Sequence, residues 1–99
     1  ADKSVPFGVI LNEFVTNSYK HAFDKNGGDI SINFHSDSYN HYLTLKDNGK
    51  GLPTNFDKNN LRSFGLEIMP LLAEQYDGEF KLESDNGVSV IVTLPKQIA

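Results

Sequence analysis

At 99 residues without a cysteine, the chain is one domain of a size at which a single apolar core can hold itself together without disulfides or metals, and its three histidines do not cluster with carboxylates at metal-ligand spacing. Its formal charge of -4 comes from 9 basic and 13 acidic residues mixed along the chain, which excludes the basic stripe of a nucleic-acid binder. A bound anion would have to be held by local backbone N–H groups and a metal, against the overall field. The longest apolar run, around Val88 to Leu94, is too short to cross a bilayer, and the N-terminus lacks the order of a signal peptide, so a soluble domain with the cytosol as default compartment is expected.

Ser4 followed by Pro6 marks a helix start, because serine caps orphan N–H groups and proline in the first turn has no hydrogen bond to lose. This helix is predicted to run to about Phe23, with a loop over Asp24 to Asp29. Ile30, Ile32 and Phe34 then alternate with Ser31, Asn33 and His35 as in a half-buried strand. Leu43 and Leu45 define the inward face of a second strand, whose next inward position is Asp47. From Asp47 to Ser63 the periodicity gives way to Gly, Asn, Pro, Asp and Lys, a candidate functional loop.

Beyond that loop, Leu66, Met69, Leu72, Ala73 and Tyr76 recur at helical spacing, with Gly78 placed to end the helix. Pro70, inside it, is expected to cost a hydrogen bond to about Leu66 and to kink it. Phe80 and Leu82, a turn at Asp85-Asn86-Gly87, and the inward series Val88, Val90, Val92 and Leu94 make a final hairpin. The order predicts an α+β fold, a two-layer sandwich with helices packed on one face of a mixed sheet.

Three constellations stand out. Glu13, Asn17 and Lys20 lie at i, i+4 and i+7, within an arc of about 60° on the first helix, beside the apolar side made by Phe7, Leu11, Phe14 and Ser18. By itself this is also what an ordinary Glu to Lys surface pairing looks like. Asp47-Asn48-Gly49-Lys50-Gly51-Leu52-Pro53 contains an Asn-Gly turn signal, yet no second alternating strand follows, so a hairpin does not explain it. Asp47 points into the apolar layer, where a carboxylate is costly unless something donates to it, and a ligand amino group would serve. Ser63-Phe64-Gly65-Leu66 stands where the loop meets the second helix and offers N–H groups to a phosphate, or simply caps that helix. No P-loop or Rossmann glycine motif is present.

In this order the three resemble the boxes of the GHKL (Bergerat-fold) ATPases, the group of gyrase, the heat-shock chaperone of the same fold, mismatch-repair ATPases and histidine kinases. Leu11 to Phe23 resembles the N box and Asp47 to Pro53 the first glycine box. Ser63 to Leu66 with the helix after it, and Gly87 to Pro95, resemble the second glycine box and closing strand of sensor kinases related to the HWE group. The resemblance implies the ATP-binding catalytic domain of a sensor histidine kinase, with ATP and Mg²⁺ as cofactors. Asn17 would coordinate Mg²⁺, Glu13 would hold a metal-bound water or act as a base, and Lys20 with His21 would neutralise phosphate charge. Asp47 would accept the adenine amino group, Gly49 and Gly51 would let the loop close over the ring, and Phe64, Gly65 and Leu66 would border the phosphates. Ile10, Leu52, Met69, Val88 and Val90 would supply the apolar lining.

The same resemblance implies that the phosphoryl acceptor is a histidine on a dimerisation domain of the full-length protein, with a response regulator as indirect partner; self-association into a homodimer is suggested only by an open sheet edge. His21 falls in the N box, and His35 and His41 are expected at the surface, so none is the acceptor. The chain departs from the family in three places: the second glycine box keeps only Gly65, Val88 replaces a frequent threonine, and the strands that usually precede the first helix are not in it. The last departure predicts an unpaired sheet edge prone to self-association. The alternatives are an anti-sigma-type serine kinase and a degenerate module that binds nucleotide without turnover.

Overall fold

The computed structural model describes residues 4–22, 27–50, 67–84 and 86–96. Helix α1 spans Ser4–Asn17 and passes directly into a π-helical turn over Ser18–Ala22, so the predicted first helix changes geometry at its C-terminal end. Strands β1 (Ile30–Ser36) and β2 (Asn40–Asp47) follow, then α2 (Ile68–Gln75), β3 (Glu79–Ser84) and β4 (Val88–Pro95). The strands form one sheet in the order β1-β2-β4-β3. All three pairings are antiparallel, so the expected mixed sheet is antiparallel throughout among the described strands. The two-layer α+β arrangement is as expected.

The sheet's helix-facing side carries the core. Along β4, Val88, Val90, Val92 and Leu94 are buried while the residues between them are not, the period-two pattern of a strand with one covered face. Leu45 stands opposite Val90 and Leu43 opposite Val92, and Leu82 of β3 adjoins Val90 on the other side. Helix α1 packs on β2, and α2 on β3 and β4. Between them the helices bury Ile10, Phe14, Met69 and Ala73 against that surface.

Strand β1 departs from its predicted half burial. Ile32 and Phe34 lie opposite Leu45 and Leu43 and so share their face, yet they remain 55% and 54% exposed. The reason is position: β1 is the edge of the sheet, beyond the stretch that α1 and α2 cover. Phe34 still meets Phe7 of α1 edge to face, with ring centroids 5.5 Å apart, and stacks on His41 at 5.9 Å. His41 is consequently half-buried instead of lying at the surface as expected, and its Nδ1 is 2.7 Å from the Ser36 hydroxyl. His35 is exposed and stacks on Tyr42.

Helix α2 ends as predicted but by different means. The N–H of Gly78 donates to the Ala73 carbonyl and that of Asp77 to the Glu74 carbonyl, a Schellman closure in which the left-handed residue is Asp77, at φ 61°. Gly78 is needed for another reason: a Cβ there would meet the carbonyl oxygen of Thr93 on β4. Pro70 does not interrupt the helix. With α2 beginning at Ile68, it falls in the first turn, where its missing N–H has no intrahelical partner to lose. Leu66, the carbonyl it was expected to orphan, lies outside the described residues.

Candidate functional site

Asp47 closes β2 and is 2% exposed on the helix-facing side, as its register in the Leu43, Leu45 series requires. Burial of a carboxylate among Val88, Val90 and Leu45 would be costly without donors. Three reach it. The backbone N–H groups of Gly49 and Val88 both donate to Oδ1, at 3.0 Å each, and the hydroxyl of Ser18 donates to Oδ2 at 2.9 Å. These come from three separate parts of the chain: the turn after β2, the start of β4 and the π-helical turn. A carboxylate offers about four acceptor positions, and the donors among the described residues leave one, on Oδ2.

The backbone around Asp47 is built for this approach. Gly87, at φ 126°, lies against the Asp47 backbone so closely that a Cβ would meet its carbonyl oxygen, and this contact brings the following N–H, that of Val88, to Oδ1. On the other side of β2, Asn48 clamps the strand end to β1. Its Oδ1 accepts the Asp29 N–H at 2.8 Å, and its own N–H donates to the Asp29 carbonyl at 3.2 Å. Asp47 thus sits where β2 is held from both neighbouring strands.

The other predicted residues divide by location. Glu13 and Asn17 are half-buried and one helical turn apart on α1, Asn17 directly preceding Ser18. Lys20 is exposed in the π-helical turn. Ile10, Met69 and Val90 are fully buried and Val88 nearly so, all in one core cluster. Gly51, Leu52, Phe64, Gly65 and Leu66, and the side chain of His21, lie outside the described residues. The structure therefore brings together Asp47, Gly49 and Val88, with Asn17 one residue from their neighbour Ser18.

Ser18 was not singled out as a site residue from the sequence. The signal was there: it continues the inward series Phe7, Leu11, Phe14 as its one polar member, and a hydroxyl in an apolar stripe needs a partner. Val88 contributes through its backbone, so its side chain carried no such signal. That contact does not depend on which side chain stands at position 88.

Residues 2–98 match the family model described as histidine kinase-, DNA gyrase B- and HSP90-like ATPase. The sensor histidine kinase PdtaS of Mycobacterium tuberculosis (strain ATCC 25618 / H37Rv) is 26% identical over 100 residues, covering 96% of this chain and 20% of that protein. The chain thus spans about a fifth of the length of the curated relatives it matches. Among solved structures, the histidine kinase domain of the Erythrobacter litoralis EL346 blue-light activated histidine kinase superposes with a TM-score of 0.78 at 26% identity, over 91% of this chain and 43% of that one. The catalytic domain of histidine kinase ThkA gives 0.76 at 20% identity, over 95% of this chain and 67% of that one, a likeness of fold. The chain belongs to the histidine kinase-, DNA gyrase B- and HSP90-like ATPase family and is an ATP-binding domain of the kind that sensor histidine kinases carry.

Proposed function

We propose that the chain is the catalytic half of a sensor histidine kinase, transferring the γ-phosphoryl of Mg-ATP to a histidine on a dimerisation domain of the same protein, from which a response regulator is charged. The observation that carries this reading is Asp47: a carboxylate buried on the helix side of the sheet, oriented by three donors among the described residues, which leave one acceptor position on Oδ2. An adenine amino group supplies the donor that position takes.

On this reading Asn17 contributes its side-chain oxygen to Mg²⁺, Glu13 holds a metal-bound water or acts as a base, and Lys20 offsets phosphate charge. The donor set fits the ion. Glu13 and Asn17 offer oxygen ligands one turn apart, and the described residues hold no group of three His, Cys, Asp or Glu that would make an all-protein cage. Magnesium is commonly held in that way, by one or two protein oxygens together with phosphates and water. When bound, it supplies charge neutralisation at the phosphates. His21, Gly51, Leu52, Phe64, Gly65 and Leu66 enter the reading through the resemblance alone.

Titration calorimetry with Mg-ATP tests the binding step. Micromolar-range binding is expected for the unmodified chain and none for Asp47→Asn, whose amide oxygen can still take the Oδ1 donors but whose NH₂ then faces both the Ser18 hydroxyl and the adenine amino group. Equal binding by the variant would remove Asp47 from the reading. Mixing the chain with its purified dimerisation domain and labelled ATP tests transfer; label on serine instead of histidine would replace the proposed activity with that of a serine kinase.

A further inference from the structure

Ser18 and Asp47 are the only polar residues among the described buried ones, and they are bonded to each other across 29 positions of sequence. No buried side-chain nitrogen or oxygen among the described residues lacks a partner. A pair of this kind is not something that stability demands, because replacing both members with apolar groups of the same shape is close to neutral. Ser18 also opens the π-helical turn, a geometry that recurs at functional positions in helices.

We propose that Ser18 is a positioning residue for recognition of a 6-aminopurine, acting through Asp47; this rests on the ATP-binding reading above. With Oδ1 occupied by the N–H groups of Gly49 and Val88, the carboxylate is anchored at one oxygen and free to tilt about it. The Ser18 hydroxyl removes that freedom by holding Oδ2 at 2.9 Å. It takes one of the two positions on Oδ2 and aims the other. An exocyclic 6-amino group donates to that position, whereas a 6-oxo group brings an acceptor against an acceptor and is rejected. Ser18 itself needs no contact with the ligand. Its effect on binding is therefore carried wholly by the 6-amino group, which separates this role from a general one in packing.

The test is a cycle of protein and ligand changes. Mg-ATP and the magnesium complex of purine riboside triphosphate, which lacks only the 6-amino group, are titrated into the unmodified chain and into Ser18→Ala. The unmodified chain is expected to prefer ATP, and Ser18→Ala to lose about tenfold in ATP affinity, the scale of one hydrogen bond to a charged group, while binding the deaminated analogue within about twofold of the unmodified chain. A purely structural role for Ser18 would weaken both ligands equally, and that result overturns the inference, as does full retention of the ATP preference. Ser18→Cys, close in size but a weak donor, is measured alongside and supplies the reading if Ser18→Ala loses its cooperative melting transition. If the unmodified chain binds neither ligand, the ATP reading itself falls, and this inference with it; a preference for ATP that survives in both variants removes this inference alone.

Discussion

Gly87 rests directly on the backbone of Asp47, with a φ of 126° and so little room that a Cβ would meet the Asp47 carbonyl oxygen and come within 3.0 Å of Oδ1. The relationship ties the β3–β4 turn to the end of β2 and makes the glycine part of how the carboxylate is held. Gly78 offers a comparison, since a Cβ there would meet the Thr93 carbonyl oxygen at the other end of β4. Both Gly87→Ala and Gly78→Ala are expected to cost about 2 kcal/mol or more in urea unfolding, through strain and backbone displacement. They should differ in calorimetry. Gly78→Ala, remote from Asp47, keeps its nucleotide affinity when folded, whereas Gly87→Ala shifts the Val88 N–H away from Oδ1 and loses affinity as well.

The turn between β1 and β2 carries an acid-sensitive carboxylate. Oδ1 of Asp37 accepts the N–H groups of Tyr39 and Asn40 at 2.8 Å each, and Oδ2 accepts the Tyr42 hydroxyl at 2.8 Å. The Tyr39 N–H first, then that of Asn40, the Tyr42 hydroxyl and the charge of Lys96 hold this carboxyl below its ordinary value of 3.8. Because the folded value is the lower one, the stabilisation is present above the unfolded value and is lost as pH falls through the folded value. Asp37→Asn should therefore be less stable than the unmodified chain near neutral pH, with the gap closing below about pH 4. The side chain is fully exposed, so the gap is small; thermal melts of both proteins across that range measure it. A gap that widens on acidification would contradict the assignment.

Much of this architecture was legible because one face of the sheet is covered. The alternation of Val88, Val90, Val92 and Leu94 is reproduced residue for residue in their burial, and the same reasoning placed Asp47 inward. Periodicity says which face a side chain takes, not how fully another layer covers it, and so Ile32 and Phe34 were read as half-buried although each stays more than half exposed, with Phe7 of α1 meeting Phe34 only by its ring edge. Gly78 was credited with ending α2 because glycine has two uses that look alike in sequence, left-handed backbone and close approach; here Asp77 takes the first and Gly78 the second. The partners of Asp47 were hidden for a related reason. Two of them are backbone N–H groups, which every residue but proline has, and the third is a serine within a stripe read as apolar.

The uneven cover of the sheet predicts unequal costs for two phenylalanines. Phe14 is 1% exposed at the centre of the core, and Phe14→Ala is expected to cost about 3–5 kcal/mol by loss of transfer energy and creation of a cavity. Phe34 is half open to solvent, and among the described residues its ring meets Phe7 and His41. Phe34→Ala should cost about 1 kcal/mol, the sum of partial burial and an aromatic pair. Urea unfolding of the two variants compares them directly. A loss at Phe34 as large as that at Phe14 would mean that another part of the chain covers β1.

Asn17 provides the last comparison, because it adjoins Ser18 in sequence while serving a different part of the proposed ligand. Its amide lies at the end of α1, half-buried, one turn beyond Glu13. If that amide oxygen holds Mg²⁺ while Asp47 holds the base, the two substitutions must differ in what rescues them. Asn17→Ala should bind ATP without metal as well as the unmodified chain does, and lose the gain in affinity that Mg²⁺ otherwise gives, on the order of tenfold for one lost hard-cation ligand. Asp47→Asn should bind ATP neither with nor without Mg²⁺. Calorimetric titrations in Mg²⁺ and in EDTA give the four affinities. Should Asn17→Ala weaken metal-free ATP as much as Mg-ATP, the amide contacts the nucleotide itself, and the metal must then be held from Glu13 through water.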